Sequence, residues 1–190
     1  LIDTCFSTQH LYFAKDANNT LWTSAGGPDS GVVGWLNTKM YAQTGDEAKS
    51  QGWTPLILDT NGNGKRDAYV DHDQPLDPTK DKRVLLNLYA VAVNPVDGTV
   101  WGTAWFSPFP GFIVRLNPGP NPTETALTEV YEPPFPGYGP RGGDIDRNGI
   151  YWASLSSGHL GRFDRSKCKV LNGPTATGKH CPEGWTLYPL

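Results

Sequence analysis

Short alternating runs of apolar and polar residues, separated by turn-forming residues, recur three times along the chain. Each copy has an Asp or Asn turn, an apolar residue and a Trp, followed by a loop and a strand that begins with Gly. The three tryptophans are Trp22, Trp101 and Trp152. Asp-Gly and Asn-Gly turns supply the positive φ angles of a tight hairpin, and the alternating residues after them form a strand. Each copy therefore predicts a β-hairpin.

Further apolar runs before and after each hairpin bring every copy to about four short strands, which is the composition of a propeller blade. The predicted blades cover residues 8–53, 86–131 and 141–190. The first two copies are farther apart than the last two, and the excess falls in 59–83, a mostly polar segment. We therefore interpret 59–83 as an insertion between the first and second blades.

Composition supports an all-β fold. The 190 residues include 22 Gly and 17 Pro, and 12% of them are aromatic. Long helices tolerate few Gly and Pro, and disordered chains have few aromatic residues. The sequence thus predicts one β-propeller over 1–190, with about three four-stranded blades. Because three blades leave two sheet faces open, we expect a larger propeller, closed by several chains or by the remainder of a longer one.

The third copy carries a recognisable repeat motif. Asp146 to Trp152 reads D-x-x-G-x-x-W, and Gly158 to Phe163 reads G-x-L-G-R-F. This sequence resembles the repeats of streptogramin-lyase-like (virginiamycin B lyase-like) and NHL-type β-propellers. In the lyases of that group, histidines and glutamates beside such repeats are catalytic or bind magnesium, and the repeats continue Trp-Phe-Thr-Glu. Here Trp152 is followed by Ala-Ser-Leu, without the glutamate.

That departure argues against lyase activity. The sequence shows no constellation of acid, base and nucleophile, so we favour an extracytoplasmic binding or assembly module over an enzyme. The alternative is a lyase- or hydrolase-type enzyme that acts on a small molecule at the propeller channel, with His159, Arg141 and Asp144 as the catalytic candidates. Tyr138, Arg141 and Asp144 precede or begin the innermost strand of the third blade, where residues often face the propeller mouth, so we expect them to face a ligand. A buried ion pair between Arg141 and Asp144 is the alternative interpretation of those two side chains.

The insertion begins with the first half of a calcium-binding motif. Oxygen-bearing side chains at positions 1, 3 and 5, a Gly at 6, a main-chain carbonyl at 7 and a carboxylate at 9 suit Ca²⁺. The corresponding residues are Asp59, Asn61, Asn63, Gly64, Lys65 and Asp67. Val70 stands at position 12, where a bidentate acid belongs, and Asp71 follows it. The sequence predicts an irregular calcium loop with Asp71 as a further ligand, or else a polar surface turn. No motif for an organic cofactor is present.

Cysteine spacing and charge indicate the compartment and the partners. Cys168 and Cys181 flank a loop rich in Gly, Pro and Thr, which predicts a disulfide or, alternatively, two reduced thiols, and leaves Cys5 unpaired. A disulfide implies an oxidising compartment, so we expect a secreted or periplasmic protein. The net charge is −3, which argues against nucleic acid as a partner. No apolar run is long enough to cross a bilayer, so we expect no transmembrane segment.

Overall fold

The fold is mostly β, which confirms the predicted class. The computed structural model describes residues 2–4, 8–25, 31–104 and 109–190. Strands make up 40% of the chain and helices 12%. Twelve strands form three consecutive antiparallel meanders, which we call the first, second and third sheets. The first sheet contains β1 (Thr8–Phe13), β2 (Thr20–Ala25), β3 (Val32–Asn37) and β4 (Gln51–Leu58).

The second and third sheets repeat the same order. The second sheet contains β7 (Val91–Val93), β8 (Val100–Ala104), β9 (Phe112–Asn117) and β10 (Leu127–Tyr131). The third contains β11 (Pro140–Ile145), β12 (Tyr151–Leu155), β13 (His159–Phe163) and β14 (Trp185–Pro189). The 59–83 segment is more ordered than a loop, because it contains β5 (Tyr69–Val70) and β6 (Asp81–Val84), and β6 pairs with β4.

Short helices lie in the connections. They are α1 (Thr38–Thr44), α2 (Glu47–Ser50), α3 (Pro122–Thr125) and two 3₁₀ turns, Arg165–Lys167 and Pro182–Gly184. α1 and α2 begin where the side chains of Asn37 and Asp46 accept hydrogen bonds from the amides three residues later, which satisfies otherwise unpaired donors. No helix in the described residues is long and apolar enough to span a membrane.

The hairpin connections are longer than the predicted two-residue turns, because residues 94–99 and 146–150 lie between the paired strands. Gly98 and Gly149 have φ of 72° and 79°, a region that favours glycine, but Asp97 and Asn148 before them do not have positive φ. The carboxylate of Asp97 accepts from the Thr99 amide, and that of Asp146 accepts from the amides of Asn148 and Ile150. These bonds fix each turn, so β7 pairs with β8 and β11 with β12 in a defined register.

The first and second sheets together form a nearly closed, barrel-like sheet. A bridge between Leu58 of β4 and Thr128 of β10 joins them on one side, and β1 contacts β7 on the other. Apolar side chains from both sheets fill the interior, including Trp22, Leu56 and Val114. Among the described residues, no strand of the third sheet pairs with a strand of the first or second sheet.

The second sheet buries both of its faces. Along β8, Val100 and Ala104 point into the core shared with the first sheet, whereas Trp101 lies in a second core shared with the third sheet. Successive residues of a strand point to opposite faces, so this alternation places the second sheet between the other two. Trp101 stacks on Tyr131 and Tyr151, with ring centroids 6.4 and 5.4 Å away.

A buried network of charged side chains also joins the second sheet to the third. The Glu129 carboxylate accepts hydrogen bonds from Arg115 Nη1 (2.8 Å), Arg165 Nε (2.6 Å) and the Tyr131 hydroxyl (2.5 Å). Burial and then the Glu129 charge raise the pKa of Tyr131, so the phenol stays a donor. Burial alone would lower the pKa of Arg165, but its hydrogen bonds to Glu129 and the Glu129 charge raise it.

Candidate functional site

The first strands of the three sheets, β1, β7 and β11, lie beside one another. The segments that begin them bring together one side chain from each sheet. The His10 and Tyr89 rings are 4.7 Å apart, and the Arg141 guanidinium lies 5.3 Å from the centroid of the Tyr89 ring. His10 Nδ1 is buried and has no hydrogen-bond partner. A cation over an aromatic ring beside an imidazole can bind an anionic or aromatic group.

The predicted ligand-facing residues are all exposed, although they do not form one cluster. Arg141 and Asp144 are both exposed, which excludes a buried ion pair between them. Asp144 lies three residues along β11 from Arg141, a distance of roughly 10 Å along a strand. Burial and then the Asp144 charge raise the pKa of Tyr12 on β1. Tyr138 contacts a different residue, Phe109, with ring centroids 5.7 Å apart.

His159 is not placed to act with Arg141. It lies on β13, and β12 separates that strand from β11, so about two strand spacings, or roughly 10 Å, divide the two residues. The His159 Nδ1 atom lies 3.0 Å from the Ser157 hydroxyl in the β12–β13 turn. The three catalytic candidates therefore do not converge on one reacting group.

A groove of about 650 Å³ opens at the ends of the first two sheets, where the Asp and Asn hairpin turns gather. Trp22, Trp35 and Tyr12 give it an aromatic wall, and its charged lining residues are Lys15, Arg147 and Asp16. Neither Lys15 nor Arg147 was predicted from the sequence as a site residue. Lys15 precedes Asp16 and Arg147 follows Asp146, and each of these acids begins the turn of a repeat. This shared position is the sequence feature that could have identified them as lining residues.

The insertion forms a compact loop around the Asp59 carboxylate. Asp59 is buried, its Oδ1 accepts from the Gly62 amide (2.7 Å), and its Oδ2 accepts from the Gly64 amide (2.8 Å). Gly62 and Gly64 have φ of 80° and 76°, which lets the chain wrap around the carboxylate. Asn172, from the loop closed by the disulfide, donates to the same oxygen as Gly64.

The other predicted metal residues surround Asp67. The side-chain amide groups of Asn61 and Asn63 donate hydrogen bonds from Nδ2 to Asp67 Oδ2, at 3.0 and 2.6 Å. These two hydrogen bonds lower the pKa of Asp67 below its usual value. The main chain of Lys65 is held in the loop, because its amide donates to Asn63 Oδ1 at 2.8 Å. The structure thus gathers five of the predicted residues, 59, 61, 63, 65 and 67, in one loop.

Asp71, the sixth predicted residue, makes other contacts. Its Oδ1 lies 3.1 Å from His72 Nδ1 and 3.5 Å from Arg83 Nη1. A different acid, Asp81 of β6, reaches the loop instead, and its Oδ2 accepts from the Asp67 amide at 2.7 Å. Burial, followed by the nearby charges of Asp59 and Asp67, raises the pKa of Asp81, although the Asp67 and Thr60 amides oppose the shift. Asp81 lies far beyond the motif in sequence, so only its β6 pairing could have indicated it.

The predicted disulfide is confirmed. Cys168 and Cys181 are bonded, with Cα atoms 5.1 Å apart, and Cys181 is buried in the core between the second and third sheets. This bond is compatible with a secreted or periplasmic protein. Cys5 lies outside the described residues.

Neither a protein-family model nor a curated protein matches this sequence. The function therefore has to be argued from the residues and surfaces described above.

Proposed function

We propose that the protein is an extracytoplasmic binding or assembly module built on β-propeller blades. The observation that carries this proposal is the outer face of the first sheet, which faces away from the core and presents large apolar side chains to solvent. Leu11, Phe13 and Trp53 on this face are 59%, 53% and 46% exposed. Surfaces of this kind are typical of interfaces.

Strand register explains why these side chains share one face. Leu11 pairs with Thr23, which pairs with Gly34, which pairs with Trp53. Residues directly opposite each other on paired strands point to the same side of a sheet. Trp22 and Trp35, one position along, point into the core instead. The first sheet therefore has one face covered by the second sheet, and a second face on which Leu11, Phe13 and Trp53 are exposed while Thr23 and Gly34 between them are buried.

The third sheet has an open outer face as well. On this face Trp152, Arg162 and Thr186 lie opposite one another on β12, β13 and β14. The Trp152 ring stacks on Tyr188, with ring centroids 6.2 Å apart. Three successive four-stranded meanders with an open face at each end resemble part of a propeller. The β4–β10 bridge is a departure from that pattern, because it joins the first two meanders into one sheet whereas propeller blades are separate sheets. The repeat motif from Asp146 to Phe163 supports the same interpretation. The ligands of such a module would bind at the groove or beside Arg141.

The experiment that tests this proposal is a measurement of molar mass by light scattering during gel filtration, over a range of protein concentrations. If the open faces are interfaces, the chain associates beyond the mass of one chain, 20.8 kDa. The double variant Phe13→Ser with Trp53→Ser removes apolar area from the first face and should reduce association. Val96→Ser is the matched control, because Val96 is an exposed apolar residue in a hairpin turn. A chain that stays monomeric at every concentration would contradict closure of the propeller by several copies of this chain.

The enzymatic alternative has less support, because Arg141, Asp144 and His159 are spread over separate positions. A small-molecule ligand beside Tyr89 and Arg141 remains consistent with a binding module. Arg141→Gln should weaken the binding of that ligand without affecting self-association. The variant therefore separates ligand binding from association.

A further inference from the structure

We propose that the loop at 59–67 binds one Ca²⁺ ion together with Asp81, which supplies the acidic ligand that the sequence motif lacks. This inference is independent of the open sheet faces. The proposed ligands are the side-chain oxygens of Asp59, Asn61, Asn63, Asp67 and Asp81 and the main-chain carbonyl of Lys65.

The first observation is a buried oxygen of Asp81. The residue is 0% exposed, and its Oδ1 makes no hydrogen bond of normal geometry, although the Thr60 amide favours the charged carboxyl group. Its other oxygen is bound to the amide of Asp67, so the carboxyl group is held against the ninth position of the motif. A buried carboxylate oxygen without a partner is costly. A cation beside Asp81 would satisfy this oxygen.

The second observation is negative charge that no ion pair neutralises. Asp59 and Asp81 are both buried, and Asp81 Oδ2 accepts from the Asp67 amide. None of the ion pairs found among the described residues includes any of these three acids. Arg66 Nη1 donates to Thr54 Oγ1 at 2.9 Å, and the Asp81 charge acts on the Arg66 guanidinium without forming an ion pair with it. Lys65 acts on Asp67 in the same way. These two cations offset the charge of the three carboxylates from a distance, and neither binds a carboxylate oxygen directly.

The third observation is the kind of atoms present, which selects the metal. Within the part of the chain that the structure describes, no three Asp, Glu, His or Cys side chains gather at one point to hold a metal, so Asp59, Asp67 and Asp81 would have to draw closer together around an ion. A site here has to use amide and main-chain oxygens as well, and such mixed oxygen sets are what Ca²⁺ takes, with six to eight ligands. Mg²⁺ demands a stricter octahedron, and zinc prefers nitrogen and sulfur. The two Asn amides that now donate to Asp67 would turn their oxygens to the ion.

The ion would connect three parts of the fold. Asp59 follows β4, Asp81 begins β6, and the Asp59 carbonyl accepts from the Gly173 amide in the disulfide loop. Asn172 of that loop also reaches the Asp59 carboxylate. Calcium would therefore stabilise the insertion and its contact with the 164–184 connection.

The experiment measures thermal unfolding of the full chain in chelator and in CaCl₂, with native mass spectrometry to count bound ions. Extracellular calcium modules bind with Kd of about 10⁻⁴ to 10⁻³ M. Calcium at 10- to 100-fold above Kd should then raise Tm by about 3 to 10 °C, with one ion bound per chain. MgCl₂ at the same concentration should raise Tm less.

Two substitutions test the assignment of Asp81. Asp81→Asn should weaken calcium binding by about tenfold or more, and in chelator it should be at least as stable as the wild type, because it removes a buried charge beside two other acids. Asp71→Asn is the matched control, an acid of the same insertion that contacts His72 and Arg83, and it should bind calcium normally. Asp67→Asn, at an exposed position, tests the same site if Asp81→Asn fails to fold.

Three outcomes would overturn the proposal. The first is a wild-type protein that binds no calcium and shows no calcium-dependent Tm shift. The second is calcium binding that is retained in both Asp81→Asn and Asp67→Asn. The third is calcium binding that is lost in Asp71→Asn, which would return the acidic ligand to the position predicted from the sequence.

Discussion

Replacing Glu129 with Gln should destabilise the protein strongly, because one carboxylate holds together the side chains between the second and third sheets. Its two oxygens accept from Arg115 Nη1, from Arg165 Nε and Nη2, and from the Tyr131 hydroxyl, all within 2.8 Å. The Glu129 side chain is only 14% exposed, and that of Arg115 only 9%. Glutamine has nearly the same shape but no charge, so it isolates the effect of the charge.

The expected magnitude follows from burial. Removing one partner of a buried ion pair costs about 3 to 5 kcal/mol, because the other charge stays buried without compensation. Arg165 is more exposed than Arg115 and can recover some hydration in the variant. Asp97 still pairs with Arg115. We therefore expect a cost near the lower end of this range. A loss of about 3 kcal/mol corresponds to a fall in Tm of about 6 to 12 °C for a domain of this size.

The assay is equilibrium unfolding in urea, followed by tryptophan fluorescence, with calorimetry to check the Tm. Glu124→Gln is the matched control, since Glu124 is an exposed acid on α3, and it should change the free energy of unfolding by less than about 0.5 kcal/mol. If Glu129→Gln is also within about 0.5 kcal/mol of the wild type, the network does not stabilise the contact between the sheets and the reasoning is refuted.

Two further predictions concern the disulfide and acid pH. The double variant Cys168→Ser with Cys181→Ser should lose about 3 kcal/mol of unfolding free energy, from the loop that the bond closes; labelling of both cysteines by a thiol reagent in unreduced, denatured protein would contradict the bond. Burial alone would raise the pKa values of Asp146 and Asp164, but the hydrogen bonds that they accept outweigh it and lower both pKa values below 3.8. The stability that these two carboxylates contribute is therefore present above pH 3.8 and is lost as the pH falls through their pKa values in the folded protein. Asp146→Asn should therefore lose less stability than the wild type in urea unfolding between about pH 5 and pH 3, and an equal loss would show that Asp146 does not contribute.

The sequence was most informative where a local rule sets the structure. The Asp-Gly and Asn-Gly turns at Gly98 and Gly149 and the Cys168–Cys181 spacing each depend on neighbouring residues, and the structure has all three, although both turns are longer than predicted. The four-stranded meanders follow from the same turns, since a tight turn between alternating strands makes antiparallel neighbours. The helices α1 and α2 were not predicted, although Asn37 and Asp46 are typical N-cap residues.

Contacts between segments that are distant in the chain could not be predicted from the sequence. Asp81 reaches Asp67 because β6 turns back along β4, and Glu129 meets Arg165 because the third sheet stacks on the second. No local pattern encodes either contact. The same limit explains Arg141 and His159, which both lie near the start of a strand but are separated by β12.

The most direct test of the assembly proposal is a structure of the protein at the concentration where it associates, determined by electron cryo-microscopy. We expect a ring in which Leu11, Phe13 and Trp53 of the first sheet contact the face of another β-sheet. A particle in which these side chains stay in solvent, or in which association uses other surfaces, would contradict it.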